Sequence, residues 1–198
     1  RTIKLNTPFT DQKPGTSGLR KSSKQFQAEN YLESFIEAIL RTLPGTKGGV
    51  LVVGGDGRYG NKSAINIILQ MGAAHGLDKI ITTTNGILST PAASNLIRSR
   101  KAIGGIILSA SHNPGGPKGD FGVKVNGSNG GPANESLTNA IYKCSQSLES
   151  FKLIEKENIS IEKEGVFSIA QMDVEVIDGV KDYLDLMNNI FDFKKIRD

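Results

Sequence analysis

The sequence predicts an α/β protein, a three-layer α/β/α domain with a mostly parallel mixed sheet. Three observations predict it. Short continuous apolar runs, Val50–Val53 and Gly105–Ala110, carry the β-branching of strands buried on both faces. Segments with apolar residues at helical spacing alternate with them. The 23 glycines, above the usual ~7%, cluster rather than repeat, with six between Gly48 and Gly60 and nine between Gly104 and Gly131. Such clusters mark shaped loops at the ends of elements.

Taken in order, Tyr31, Leu32, Phe35, Ile36, Ile39 and Leu40 define an amphipathic helix over 29–43, ended by Pro44-Gly45. Val50–Val53 is the first buried strand. After a glycine loop, Ala64, Ile65, Ile68, Met71 and Ala74 set a second helix that closes near Gly76. Lys79–Thr84 is the next strand. Thr90-Pro91 reads as an N-cap followed by a first-turn proline, opening a helix to Lys101. Gly105–Ala110 is a further strand, Phe121–Asn126 alternates as another, and 134–148 is a helix. Charge then crowds between Lys152 and Glu164, as in a surface excursion. Val174–Ile177 leads into a helix with Val180, Tyr183, Leu184, Met187 and Ile190. The expected division is one domain over 1–172, with 173–198 opening a second.

Composition narrows the function. The 24 Lys+Arg against 20 Asp+Glu give a net charge of +4, but the basic residues are dispersed and there is no Trp. No basic, aromatic-interleaved stripe points to nucleic acid. No apolar run is long enough for a membrane span or a signal peptide, so a cytosolic setting is expected. The single Cys144 rules out an intrachain disulfide and is expected to pack on a helix as a small apolar residue. The N-x-[ST] triplets at Asn61, Asn126, Asn134 and Asn158 are expected to be chance matches. The chain opens on Arg1 rather than Met, so preceding residues are expected.

Two loops carry candidate chemistry. Gly55, Gly57 and Gly60 spell the dinucleotide pattern G-x-G-x-x-G, but Asp56 puts a carboxylate inside the turn, and Thr82–Asn85 lacks the acid that would meet the ribose. A tight turn, with Asp56 hydrogen-bonding loop amides, competes with that reading. The second loop, Ser109–Asp120, follows a buried strand, where α/β sheets bind ligands. Ser111 is a potential nucleophile. Adjacent Ser111 and His112 diverge on an extended chain, and no G-x-S-x-G elbow is present, so a Ser–His hydrolase fits poorly. A serine that carries a phosphoryl group fits better. Loop amides and the cations Lys118, Lys124 and Arg20 could receive its charge. Ordinary turn formation remains open for these residue types.

The text around Ser111, SASHNPGGPKGDFGVKVNGSNGGPANE, resembles the active-site serine loop of the α-D-phosphohexomutases, and within them the eukaryotic-type phosphoglucomutase family. KPGTSGLRK, VVGGDGR, NGILSTPA and KAIGGIIL match in the family's order, and the similarity continues more loosely through NIFDF. The resemblance implies a four-domain enzyme interconverting glucose 1-phosphate and glucose 6-phosphate through a phosphoserine and glucose 1,6-bisphosphate. It implies that Ser111 carries the phosphoryl group and is one ligand of Mg²⁺, with three aspartates of a D-x-D-x-D loop supplying the rest. It makes Arg20 a phosphate contact, Lys124 a general acid/base and His112 a residue lining the site. Thr16, Ser17 and Asn113 then shape the substrate pocket. Ser109 stands where the family commonly has threonine. No D-x-D-x-D occurs in these 198 residues. The metal loop, the sugar-selecting loop and a distal phosphate-binding domain are therefore expected on missing domains of the same chain, and this fragment is expected to be inactive alone. The alternative expectation is a non-enzymatic phosphoprotein or scaffold.

Overall fold

The structure is a computed structural model that describes residues 1–157 and 159–197. Along the chain run β1 (Thr2–Lys4), β2 (Leu19–Ser22), α1 (Ser23–Phe26), α2 (Tyr31–Thr42), β3 (Val50–Gly55), α3 (Asn61–Ala74) and β4 (Lys79–Thr83). They are followed by α4 (Thr90–Ser99), β5 (Gly104–Leu108), β6 (Asp120–Gly127), α5 (Glu135–Gln146), β7 (Ser150–Lys152), β8 (Gly165–Ile169), β9 (Met172–Ile177), α6 (Lys181–Ile190) and α7 (Phe193–Arg197). Seven strands form one sheet in the order β2-β6-β5-β3-β4-β9-β8. The four central strands β5, β3, β4 and β9 are parallel; β6 runs antiparallel to β5, β2 antiparallel to β6, and β8 antiparallel to β9. β1 and β7 pair separately.

The expected layering follows from which face each side chain takes. Leu51, Val53, Ile80, Ile106 and Leu108 point to a core shared with α2, α3 and α5. Val52, Ile81 and Ile107, one residue out of phase, pack with α4 on the other face. Both faces of the central strands are therefore covered, which is why their sequences read as unbroken apolar runs. Each large side chain buried this way contributes about 1.5–3 kcal/mol relative to exposure. Cys144 packs against the larger core from α5, as expected of a small apolar residue.

Three expectations change in detail. The cap of α4 is Ser89, whose Oγ accepts from the Ala92 N–H at 3.3 Å. Thr90 and Pro91 thus occupy the first two helical positions, where the missing proline N–H costs nothing. Residues 173–177, expected to open a second domain, lie in β9, between β4 and β8 of this same sheet. The charged excursion before them runs along the surface and is tied back to the core by Ile161, Ile169 and Met172. β2 was not expected as a strand; it pairs with β6 so that Arg20 faces Gly122. Of the four glycosylation-like triplets, Asn61 and Asn126 are buried and Asn134 caps α5. Asn158 lies outside the described residues. No described helix is long and apolar enough to cross a membrane.

Candidate active site

β5 ends at Leu108, and residues 109–119 loop back to β6 beyond the carboxyl ends of the parallel strands. This is the edge where α/β sheets place ligands. The loop is closed on itself by several short bonds. The Asp120 N–H donates to Pro114 O (2.8 Å), Gly119 N–H to Gly116 O (3.0 Å), and Asn113 N–H to Ala110 O (3.2 Å). Asn113 Nδ2 donates to Asp120 Oδ2 at 2.8 Å. From outside, Ser23 ties the loop to α1, with its N–H donating to Gly119 O (2.8 Å) and its Oγ to Gly116 O (2.9 Å). A Cβ on Gly119 would collide with the Pro114 and Gly115 carbonyls, so the fold of the loop requires glycine there.

Ser111 sits exposed at the top of this loop with φ +58°, the left-handed region that a side chain rarely adopts. Such a conformation costs roughly 1–3 kcal/mol, and the surrounding contacts must offset it. One contact is local: the Ser111 N–H donates to Ser109 Oγ at 3.0 Å. A hydroxyl at 109 is what that bond needs, and Ser109 supplies it. His112 and Asn113 follow on the same loop, His112 exposed and Asn113 half-buried.

Sequence reasoning did not single out Arg58, which is the main external contact of this turn. Its Nη2 donates to Ser111 O (3.1 Å) and its Nη1 to Asp120 O (2.7 Å). Its Nε donates to both Asp56 carboxylate oxygens at 3.0 Å, and the Arg58 N–H reaches Asp56 Oδ1 at 3.2 Å. The Arg58 side chain is only 7% exposed. Burial alone would raise the Asp56 pKa, but Arg58 and the nearby Ser109 hydroxyl hold it below the usual carboxylate value. The G-x-G-x-x-G stretch is thus a turn whose own carboxylate takes its amide. A Cβ on Gly55 would strike the Leu108 carbonyl, which makes close strand approach the role of that glycine. The one signal that could have flagged Arg58 was its place in VVGGDGR, directly after a buried strand.

Arg20 and Lys124 come from β2 and β6. Arg20 stands opposite Gly122, and Lys124 lies two residues on, so alternation puts both on one face, with Ser109 opposite Gly122 on the same side. It is the face on which α4 lies over β3 and β5, two strands further in. Both residues are half-buried. The Lys124 pKa is lowered, first by burial and then by the Arg20 charge beside it. Arg20 Nε is buried and has no hydrogen-bond partner among the described residues. A guanidinium with an unused donor, next to a second cation, suits a phosphate. Thr16 and Ser17 occupy the exposed tip of a turn closed by reciprocal Gly15–Gly18 bonds of 3.1 and 3.0 Å. Gly18 has φ +85° and lies directly on Val123 and Lys124, which brings that tip next to the lysine.

The expected residues therefore collect at one edge in two groups: Ser111, His112 and Asn113 on the loop, and Arg20, Lys124, Thr16 and Ser17 on β2, β6 and the turn before them. A Mg²⁺ site does not follow from these residues alone. Among the described residues no group of three or more His, Cys, Asp or Glu could hold a metal ion. Ser111 would contribute a single oxygen.

Residues 11–152 match the family model for phosphoglucomutase/phosphomannomutase, alpha/beta/alpha domain I. The chain is 55% identical over 191 residues to a phosphoglucomutase of Emericella nidulans, covering 96% of this chain and 34% of that protein. It is 53% identical over 197 residues to a phosphoglucomutase of Rhizobium radiobacter, covering 100% and 36%. Among solved structures it resembles parafusin (phosphoglucomutase) from Paramecium in its open form, with a TM-score of 0.92 and 39% identity over 98% of this chain and 37% of that one. The chain spans about a third of the length of the curated relatives it matches.

Proposed function

Because the chain belongs to the phosphoglucomutase/phosphomannomutase family, we propose that it carries the phosphoserine loop of an intramolecular phosphotransferase that interconverts glucose 1-phosphate and glucose 6-phosphate. The observation that carries this reading is Ser111, exposed in a left-handed turn on a tied loop at the same edge as Arg20 and Lys124. A hydroxyl so placed has little freedom to lose when the reaction begins.

In the proposed reaction, the phosphoryl group on Ser111 passes to a free hydroxyl of the sugar phosphate. The bond from phosphorus to the Ser111 oxygen breaks and one to the sugar oxygen forms. Lys124, whose pKa is lowered by burial and by the Arg20 charge, takes the sugar hydroxyl's proton, and the serine oxygen takes up a proton as it leaves. The product is glucose 1,6-bisphosphate. After it reorients, its other phosphate returns to Ser111 by the same steps in reverse. Arg20 holds phosphate oxygens with its planar fork. Thr16, Ser17, His112 and Asn113 contact the substrate around it. Mg²⁺ would supply charge neutralisation at the phosphate. Its remaining ligands do not come from a cluster among the described residues.

The test is turnover of glucose 1-phosphate by the full-length parent with Mg²⁺. Ser111→Ala is expected to lower kcat about 10³-fold or more. Equal activity of the two proteins would remove the serine mechanism.

A further inference from the structure

We propose that Arg58 is a positioning residue for Ser111, locking the nucleophile's backbone through a charge-neutral clamp with Asp56. The proposal rests on the phosphoserine reading above. Arg58 binds the two ends of the loop at once, with Nη2 on the Ser111 carbonyl and Nη1 on the Asp120 carbonyl. Its third side, Nε, is taken by Asp56, which also holds the Arg58 N–H. Asp56 is in turn fixed to the sheet, its N–H donating to Leu108 O at 3.1 Å, the last residue of β5. The clamp therefore connects the end of β5, where the loop leaves the sheet, with the start of β6, where it returns. Between them Ser111 is held at φ +58°, a conformation its own residue type disfavours.

The charge arithmetic separates this role from substrate binding. Asp56 is 2.9 Å from Arg58 Nη2, so the pair is neutral and adds little attraction for an anionic sugar phosphate. Its fork is directed at carbonyl oxygens of the loop. Loss of the clamp should loosen Ser111 and slow the chemical step while leaving ground-state affinity nearly unchanged. A lysine cannot reproduce three directed bonds from one planar group.

The experiment uses the full-length parent, with Arg58→Ala, Arg58→Lys, Asp56→Asn and Ser111→Ala. The expected result is a kcat about 10²-fold lower in Arg58→Ala, with KM for glucose 1-phosphate within about threefold of the parent. Asp56→Asn should shift in the same direction, and Arg58→Lys should recover part of the loss. In parallel, amide hydrogen exchange of the peptide covering 109–120 should speed up in Arg58→Ala while peptides from β3 and β5 keep their protection. Parent-like kcat and loop exchange in Arg58→Ala would overturn the proposal even if Ser111→Ala is dead. So would a uniform rise in exchange across the sheet, with kcat lost only in proportion to unfolded protein, because that marks a purely structural arginine. If Ser111→Ala proves fully active, the underlying reading fails, and the proposal falls with it whatever the exchange data show.

Discussion

Burial and the adjacent Arg20 charge both press the Lys124 ammonium toward its neutral form, burial first. Arg20→Ala removes only the second cause. The Lys124 pKa, followed by NMR titration of its side chain, is therefore expected to rise in that variant without reaching the ordinary lysine value of about 10.4. The sign for stability follows. The unfolded chain binds this proton more tightly than the folded one, so stability rises with pH between the lowered folded value and the unfolded value. Below that window the fold bears the cost of a desolvated ammonium. Lys124→Met is expected to raise the melting temperature at pH 7 while abolishing turnover in the full-length parent; a melting temperature that falls would show that Lys124 is not under this pressure. At this scale Ser111, Arg20 and Lys124 were singled out because runs of neighbouring text resemble a known family. Arg58 was not, because its partners Ser111 and Asp120 are 53 and 62 residues away and are backbone carbonyls, which leave no mark on side-chain identity.

Elements meet around residues that permit no substitute. Gly122 in β6 lies against the Ser109 carbonyl, where a Cβ would collide. Gly122→Ala must push the β5–β6 junction apart under the loop, at about 1–3 kcal/mol. Urea unfolding should register that loss, and loop amides should exchange faster before the rest of the sheet does. Glu37 plays a comparable part between α2, α3 and β7. Its carboxylate is fully buried and takes Arg41 Nε at 2.7 Å and the Lys152 N–H at 3.2 Å, with His75 Nε2 2.8 Å away. Burial alone would raise its pKa, but His75, Arg41 and the Lys152 amide together hold it below the usual carboxylate value. The stability it contributes is present above that usual value and is lost as pH falls through the lowered one. Glu37→Ala should cost about 3–5 kcal/mol at pH 7 in urea unfolding, because it strands the partners in the interior. The deficit should shrink as the parent is acidified. Helices such as α2 and α3, and strands such as β3 and β5, were readable from period and apolar content. β2 was not: only Leu19 of its four residues is apolar, and its pairing with β6 comes from a hundred residues along the chain.

For the whole molecule, seven strands form the one sheet that carries the candidate site. The Ser111 loop, the Arg20–Lys124 cation pair and the Thr16–Ser17 turn meet at one edge, yet the described residues offer no set of ligands for a metal. The 198-residue chain on its own is therefore expected to unfold cooperatively and to convert no glucose 1-phosphate above background in a coupled assay with Mg²⁺. Measurable turnover would mean that these residues suffice for the reaction. The layered architecture was legible because alternating buried strands and amphipathic helices have few other ways to bury both faces. The membership of β9 in the same sheet was hidden by the charged stretch before it, which looks like a boundary and is a surface detour. The most direct test of the central claim is to treat the full-length parent with glucose 1,6-bisphosphate and locate the phosphate by peptide mass spectrometry. One phosphoryl group on Ser111, lost on reaction with excess glucose 1-phosphate and never formed in Ser111→Ala, is the predicted result. A phosphoryl group on another residue, or an active enzyme that never becomes phosphorylated, would contradict it.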